Sequence, residues 1–347
     1  MILSVIKIFL PATLTFFIGI LITPSLTHYF YKYKMWKHTC REENPVAMSE
    51  SYKKIHDQVK EVGTPRVGGI IIWLSVLLTV CVIWIISLVF PSDFSEKINF
   101  LSRNQTILPL FALVFGSLIG LIDDLMQVFN RIHHGLSRNM MLLVVLTIGL
   151  VGALWFFFKL DYSSIAIPFN QTLELGWLFI PFFIFVVMAT FSSGVIDGID
   201  GLAGGVISSI FVAYTFIAFF NNQIDLAAFS AVVASGLLVF LWFNVPPARF
   251  YMGETGILGL TVTIAVIAFL TNTVLILPII AFPLVATSLS SAIQIISKKY
   301  FKKKVFRVAP LHHHFEALGW PKEKVTMRFW ILSVVFAIIG ILIVLIS

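Results

Sequence analysis

Along most of this chain the apolar residues form long unbroken runs, with the polar residues gathered between them. Ten stretches of about 20 apolar residues, the length that crosses a bilayer core, fall near 5–25, 67–90, 106–122, 139–158, 176–193, 202–220, 226–243, 257–271, 274–297 and 327–346. The eighth and ninth are parted only by Thr271-Asn272-Thr273. Backbone polar groups in hydrocarbon must be satisfied within their own segment, so each run predicts a helix. The expected architecture is all-α: a polytopic integral membrane protein with about ten transmembrane helices, one membrane-embedded domain over 1–347. No small-residue cleavage site follows Leu21-Ile22-Thr23-Pro24, so the first segment is expected to remain as an anchor.

Charge gives this array a direction. Of the 24 Lys and Arg, 20 fall in the loops after helices 1, 3, 5, 7 and 9 or the turn that follows; the other side holds only Lys7, Lys97, Arg103 and Lys159. The positive-inside rule then makes the odd-numbered loops cytoplasmic and puts both termini outside. A net charge of +7 concentrated on one face favours anionic headgroups and anionic soluble substrates. Nucleic acid is not needed to explain it. Cys40 and Cys81 are predicted at different depths and belong to no metal motif, so both read as structural.

The polar residues that interrupt the apolar runs lie on that predicted cytoplasmic side. Asp123 and Asp124 end the third segment, Asp197 and Asp200 follow the fifth, and Asn244 and Glu254 follow the seventh. Ala309-Pro310-Leu311-His312-His313-His314-Phe315-Glu316 precedes the last segment. Any one of these is ordinary helix-end polarity. Five carboxylates on one membrane boundary are costly unless paired or metal-bound. Asp197 and Asp200, three apart, share a face if helical, whereas the adjacent Asp123 and Asp124 point about a quarter-turn apart and so take different tasks. An oxygen-rich set without cysteine fits Mg²⁺ or Mn²⁺ over zinc, and Mg²⁺ characteristically adds substrate phosphates to one or two carboxylates. Three adjacent histidines in a loop cannot converge on one ion, which leaves phosphate hydrogen bonding as their expected task. Further cations come from Lys53, Lys54, Lys60 and Arg66, and from Arg307 with the run from Lys298 to Lys304, which reads first as a topology signal.

Taken in order, Thr64-Pro65-Arg66-Val67-Gly68-Gly69, Asp123-Asp124, Asp197-Gly198-Ile199-Asp200-Gly201-Leu202-Ala203, the stretch from Asn244 to Gly256 and the histidine loop resemble the polyprenyl-phosphate N-acetylhexosamine-1-phosphate transferases. These are ten-helix membrane enzymes that move a sugar 1-phosphate from a UDP-sugar to a lipid phosphate. Within them, the run from Val305 to Glu316, Gly319-Trp320-Pro321 and Arg328-Phe329-Trp330 are similar to the phospho-N-acetylmuramoyl-pentapeptide transferase branch. The resemblance implies Mg²⁺-dependent transfer of phospho-MurNAc-pentapeptide from UDP-MurNAc-pentapeptide to undecaprenyl phosphate. The products are lipid I and UMP, made at the cytoplasmic face of the bacterial inner membrane in the first membrane step of peptidoglycan synthesis. It implies catalytic Asp123, Asp124 and Glu254, the same three as metal ligands, and a homodimer. Substrate binding falls to Lys54, Lys60, Thr64, Arg66, Asp197, Asp200, Asn244, Arg307, His312, His313 and His314.

Several positions depart from that pattern. Pro65-Arg66-Val67-Gly68-Gly69 is closer to the branch that uses UDP-GlcNAc. Glu61 stands where a lysine is expected, which passes that role to Lys60 or Lys54. Gly194 replaces an asparagine, and Glu254 replaces the aspartate of the metal motif. A UDP-GlcNAc-type donor is therefore the alternative, and a transporter or flippase a distant one, because transport acids sit at mid-membrane. Direct in-line attack and a covalent aspartyl route both remain open.

Overall fold

The computed structural model describes residues 2–36, 63–102, 105–129, 135–169 and 171–347. The helices in chain order are α1 (Ile2–Lys32), α2 (Gly69–Val89), α3 (Asp93–Ile98), α4 (Ile107–Phe129), α5 (Arg138–Lys159), α6 (Phe179–Ser192), α7 (Leu202–Phe220), α8 (Ile224–Asn244), α9 (Gly253–Leu270), α10 (Leu277–Ile280), α11 (Phe282–Ile296), α12 (Leu311–Ala317) and α13 (Lys322–Ile346). One hairpin, β1 (Ser164–Ile167) against β2 (Gln171–Glu174), is antiparallel with Ser164 opposite Glu174. Nine helical segments among the described residues are long and apolar enough to cross a membrane. The chain is an all-α polytopic membrane protein.

The ninth expected span, 274–297, is divided at Ala281 into α10 and α11. Pro283 has no N–H to give and its ring crowds the carbonyl one turn back, so the helix restarts there. Two helices outrun the apolar stretches that predicted them. α4 continues past 122 to Phe129, which places Asp123 and Asp124 inside its final turns, and α9 begins at Gly253, which places Glu254 in its first turn.

The bundle is layered around α9, whose membrane-crossing window is 94% buried, against 22% for α1 and for α13. Apolar burial drives no helix association inside lipid, so close backbone approach must do so. α4 and α9 meet through Gly116, Gly120 and Gly259. A methyl on Gly120 would strike the Glu254 carbonyl, and one on Gly116 would lie 2.9 Å from the Gly259 Cα. At the end of the bundle away from the acids, Phe183 stacks on Phe269 with centroids 4.4 Å apart, and Lys7 pairs with Asp225 at 2.5 Å. Aromatic packing and ion pairing mark that end, while the end with the acids is held by hydrogen-bonded loops.

Candidate active site

Because α4 and α9 touch backbone to backbone at Gly120, the C-terminal turns of one abut the N-terminal turn of the other. Asp124 Oδ2 accepts from the Thr255 N–H at 2.8 Å and from the Thr255 hydroxyl at 2.7 Å. Asp123 faces elsewhere: Oδ2 accepts from Gln127 Nε2 at 2.7 Å and Oδ1 from the Leu136 N–H at 2.5 Å. Both carboxylates are buried. These bonds explain why two acids persist within a membrane helix, and they give the adjacent pair separate tasks, as their angular spacing predicts. Glu254 lies within electrostatic range of Asp124, Asp123, Asp197 and Arg66, and its Oε2 is buried with no hydrogen-bond partner.

Two loops clamp this centre. The stretch 65–69 runs beside 251–252, with the Tyr251 N–H donating to Pro65 O (2.8 Å), Gly68 to Tyr251 O (2.9 Å) and Gly69 to Met252 O (3.0 Å). Phe250 is fully buried between Phe30 and Phe240, and the Tyr31 hydroxyl donates to Arg249 O at 2.9 Å. Gly253 turns the chain into α9 at φ 68°, and a Cβ there would collide with Arg66 O on one side and Asp124 Oδ2 on the other. Asn244 ties this loop to the next: its Oδ1 accepts from the Gly201 N–H and its Nδ2 donates to Phe250 O, both at 2.8 Å. The amide expected to bind substrate is thus engaged in holding two loops in register. Thr64 is half-buried where the first clamp begins. Lys54 and Lys60 lie outside the described residues.

The turn before α7 brings in the second pair of acids. Asp197 Oδ2 accepts from the Gly253 N–H at 3.3 Å and Asp200 Oδ2 from the Ala248 N–H at 3.2 Å. α13 braces this turn, with Thr326 Oγ1 donating to Asp200 O (3.3 Å) and Trp330 Nε1 to Gly201 O (3.0 Å). Asp197 keeps an open face, yet protein crowds its carboxylate enough to raise its pKa to about 6. Desolvation there outweighs the opposing pulls of Arg66 and the Gly253 N–H.

The three histidines are not in a loop; they lie on α12, where consecutive residues step about 100° around the axis. His312 and His313 share the face toward Gly198: a methyl there would come within 2.6 Å of His312 Nε2 and 2.9 Å of His313 Nε2. His313 Nδ1 meets Glu316 Oε2 at 2.5 Å. His314 points away and accepts the Arg307 N–H at Nδ1 (3.2 Å). Burial, then the Arg307 guanidinium, lowers its pKa, a direction that favours the accepting, uncharged ring. Arg307 itself is exposed and donates from Nη1 to Ala317 O at 3.3 Å. The structure therefore brings His312 and His313, not His314, up to the aspartate turn.

Among the described residues no three His, Cys, Asp or Glu side chains form a ready-made metal cage. Mg²⁺ does not require one, since it commonly takes one or two carboxylates and completes its shell with phosphate and water. The unpartnered Glu254 Oε2, with Asp124 and Asp123 beside it, fits that pattern. Sequence reasoning passed over Thr255, Gln127 and Glu316. Each had a signal, since Thr255 follows Glu254 in a helix's first turn, Gln127 is four residues beyond Asp123 and Glu316 is three beyond His313.

Residues 106–272 match the profile of glycosyl transferase family 4. The phospho-N-acetylmuramoyl-pentapeptide-transferase of Anoxybacillus flavithermus is 35% identical over 339 residues, 96% of this chain and 97% of that protein. The protein of the same name from Acetivibrio thermocellus is 34% identical over 94% of this chain and 92% of its own length. That from Caldanaerobacter subterraneus subsp. tengcongensis is 34% identical over 95% and 96%. The chain belongs to the phospho-N-acetylmuramoyl-pentapeptide-transferase family.

Proposed function

We propose that this protein transfers phospho-MurNAc-pentapeptide from UDP-MurNAc-pentapeptide to undecaprenyl phosphate, giving lipid I and UMP. It would act in the bacterial cytoplasmic membrane, with the site on the cytoplasmic face where the lysines and arginines gather. The observation that carries the reading is the convergence of four sequence-distant motifs on Glu254, with an unpartnered carboxylate oxygen at the focus and two imidazoles across Gly198. A homodimer rests on the resemblance alone.

Glu254, with Asp124 and Asp123, would hold Mg²⁺, and the bound ion would supply charge neutralisation for the UDP diphosphate and the leaving UMP. A phosphate monoester, with a second pKa of about 6, is mostly dianionic at neutral pH, so attack by the lipid phosphate on the sugar-linked phosphorus requires no protein base. The side chains' work is alignment. His312 and His313 hold the phosphate nearer the sugar, Asp197 and Asp200 face the nucleoside part, and Asp123 aligns the lipid phosphate while anchoring the Leu136 backbone. Lys54, Lys60, Thr64 and Arg307 complete the substrate contacts in this reading, and Asn244 keeps the loops in register.

The segment Pro65-Arg66-Val67-Gly68-Gly69 favours a second reading, a UDP-GlcNAc-type donor for other surface glycans. Purified protein given undecaprenyl phosphate, Mg²⁺ and each UDP-sugar in turn, with UMP release measured, separates the two. Release with the muramoyl pentapeptide donor is expected; turnover with UDP-GlcNAc alone overturns the first reading.

A further inference from the structure

Arg66 stands where the two clamping loops meet. Its N–H donates to Met35 O at 2.9 Å, and its neighbours Pro65 and Gly68 bond to Tyr251, so it cannot drift from the turn that leads into Glu254. Its carbonyl lies against Gly253, and Asp124 Oδ2 lies against the same Cβ position of that glycine. The guanidinium is within electrostatic range of Asp124, Asp197 and Glu254. Even so, none of the ion pairs within 4.0 Å among the described residues involves it, and Nε is buried with no hydrogen-bond partner. Opposite charges that share a poorly solvated site gain most by closing to contact. Here no such contact is made among the described residues, and both Arg66 Nε and Glu254 Oε2 are left with bonding capacity.

We propose that Arg66 is the built-in counter-ion of the carboxylate cluster: it offsets part of the cluster's charge before the divalent cation binds, and it engages the diphosphate once nucleotide arrives. This deepens the proposed reaction and rests on that reading. A guanidinium stays charged at any working pH, and its planar fork matches phosphate oxygens. Asp123, Asp124, Asp197 and Glu254 alone would draw a bare divalent cation strongly. A fixed cation among them weakens that draw, so that metal and diphosphate load together. Loss of the charge must therefore move two affinities in opposite directions, which a purely structural arginine would not do.

The test uses the purified full chain, with Mn²⁺ binding measured by calorimetry without nucleotide and UDP binding measured at saturating Mn²⁺. Arg66→Met should bind Mn²⁺ about three- to tenfold more tightly, from the lost opposing charge, and UDP about tenfold more weakly, from the lost fork. Arg66→Lys keeps the charge, so its Mn²⁺ affinity should stay within about twofold of the parent while UDP binding weakens. Unchanged Mn²⁺ affinity in Arg66→Met, or weakening of both ligands together in either variant, overturns the proposal. Mn²⁺ and UDP are common to every donor considered above. Failure to turn over the muramoyl donor would count against the proposed reaction and leave this result standing.

Discussion

His313 Nδ1 and Glu316 Oε2 lie 2.5 Å apart across one turn of α12, both side chains buried. A carboxylate on one ring nitrogen fixes the orientation of the other, and here His313 Nε2 is the atom directed at Gly198. Glu316→Gln keeps the shape and removes the charge. It should reduce kcat/KM for the UDP donor about 10- to 100-fold, chiefly through KM. Steady-state kinetics with an unchanged KM would mean that the ring is held by something else.

Thr255 gives Asp124 two hydrogen bonds on one oxygen. Thr255→Val removes the hydroxyl bond to a buried carboxylate, worth about 1.5–3 kcal/mol for a charged partner, and should lower kcat about 10- to 100-fold. Thr255→Ser restores the donor and should recover most of the rate. If the valine variant keeps the parent's rate while the serine variant loses it, the methyl packing matters and the hydroxyl does not.

Glu254 offers the cluster's one buried carboxylate oxygen without a hydrogen-bond partner among the described residues. Glu254→Gln should abolish Mg²⁺-dependent turnover of purified protein, since a neutral amide is a poor Mg²⁺ ligand. Activity near the parent's would remove Glu254 from the ligand set.

Gly120→Ala tests the helix crossing. The added methyl meets Glu254 backbone, which cannot rotate aside, so overpacking of about 1–3 kcal/mol is expected. The thermal midpoint should drop, and activity should fall further than that drop explains, because the displaced atoms carry Glu254 and Thr255. Full activity with a lowered midpoint would uncouple the crossing from the site.

The spans and the gathering of acids were legible because hydrophobic runs and boundary carboxylates are local signals. The break at Ala281 interrupts one continuous apolar run, and its only local marks are Pro278 and Pro283. The apolar runs also end too early: Asp123, Asp124 and Glu254 look like loop residues, yet all three lie in helical turns, where tertiary hydrogen bonds from Leu136 and Thr255 stabilise the two aspartates. The histidines read as a loop for the same reason, a seven-residue helix between Pro310 and Gly319 being too short to announce itself. The engagement of Asn244 by Gly201 and Phe250 joins positions far apart in the chain, and no spacing rule could foresee it.

With the backbones of α4 and α9 in direct touch at Gly120, no intervening side chain can change rotamer to alter the separation of Asp124 from Glu254. The backbone separation at that crossing changes only when one helix slides or tilts against the other. α4 also presents Phe111, Phe115, Leu118 and Ile122 outward, so the thickness of the surrounding hydrocarbon acts on the same rigid body that carries the aspartates. A change of bilayer thickness would reach the two aspartates through that body as a whole.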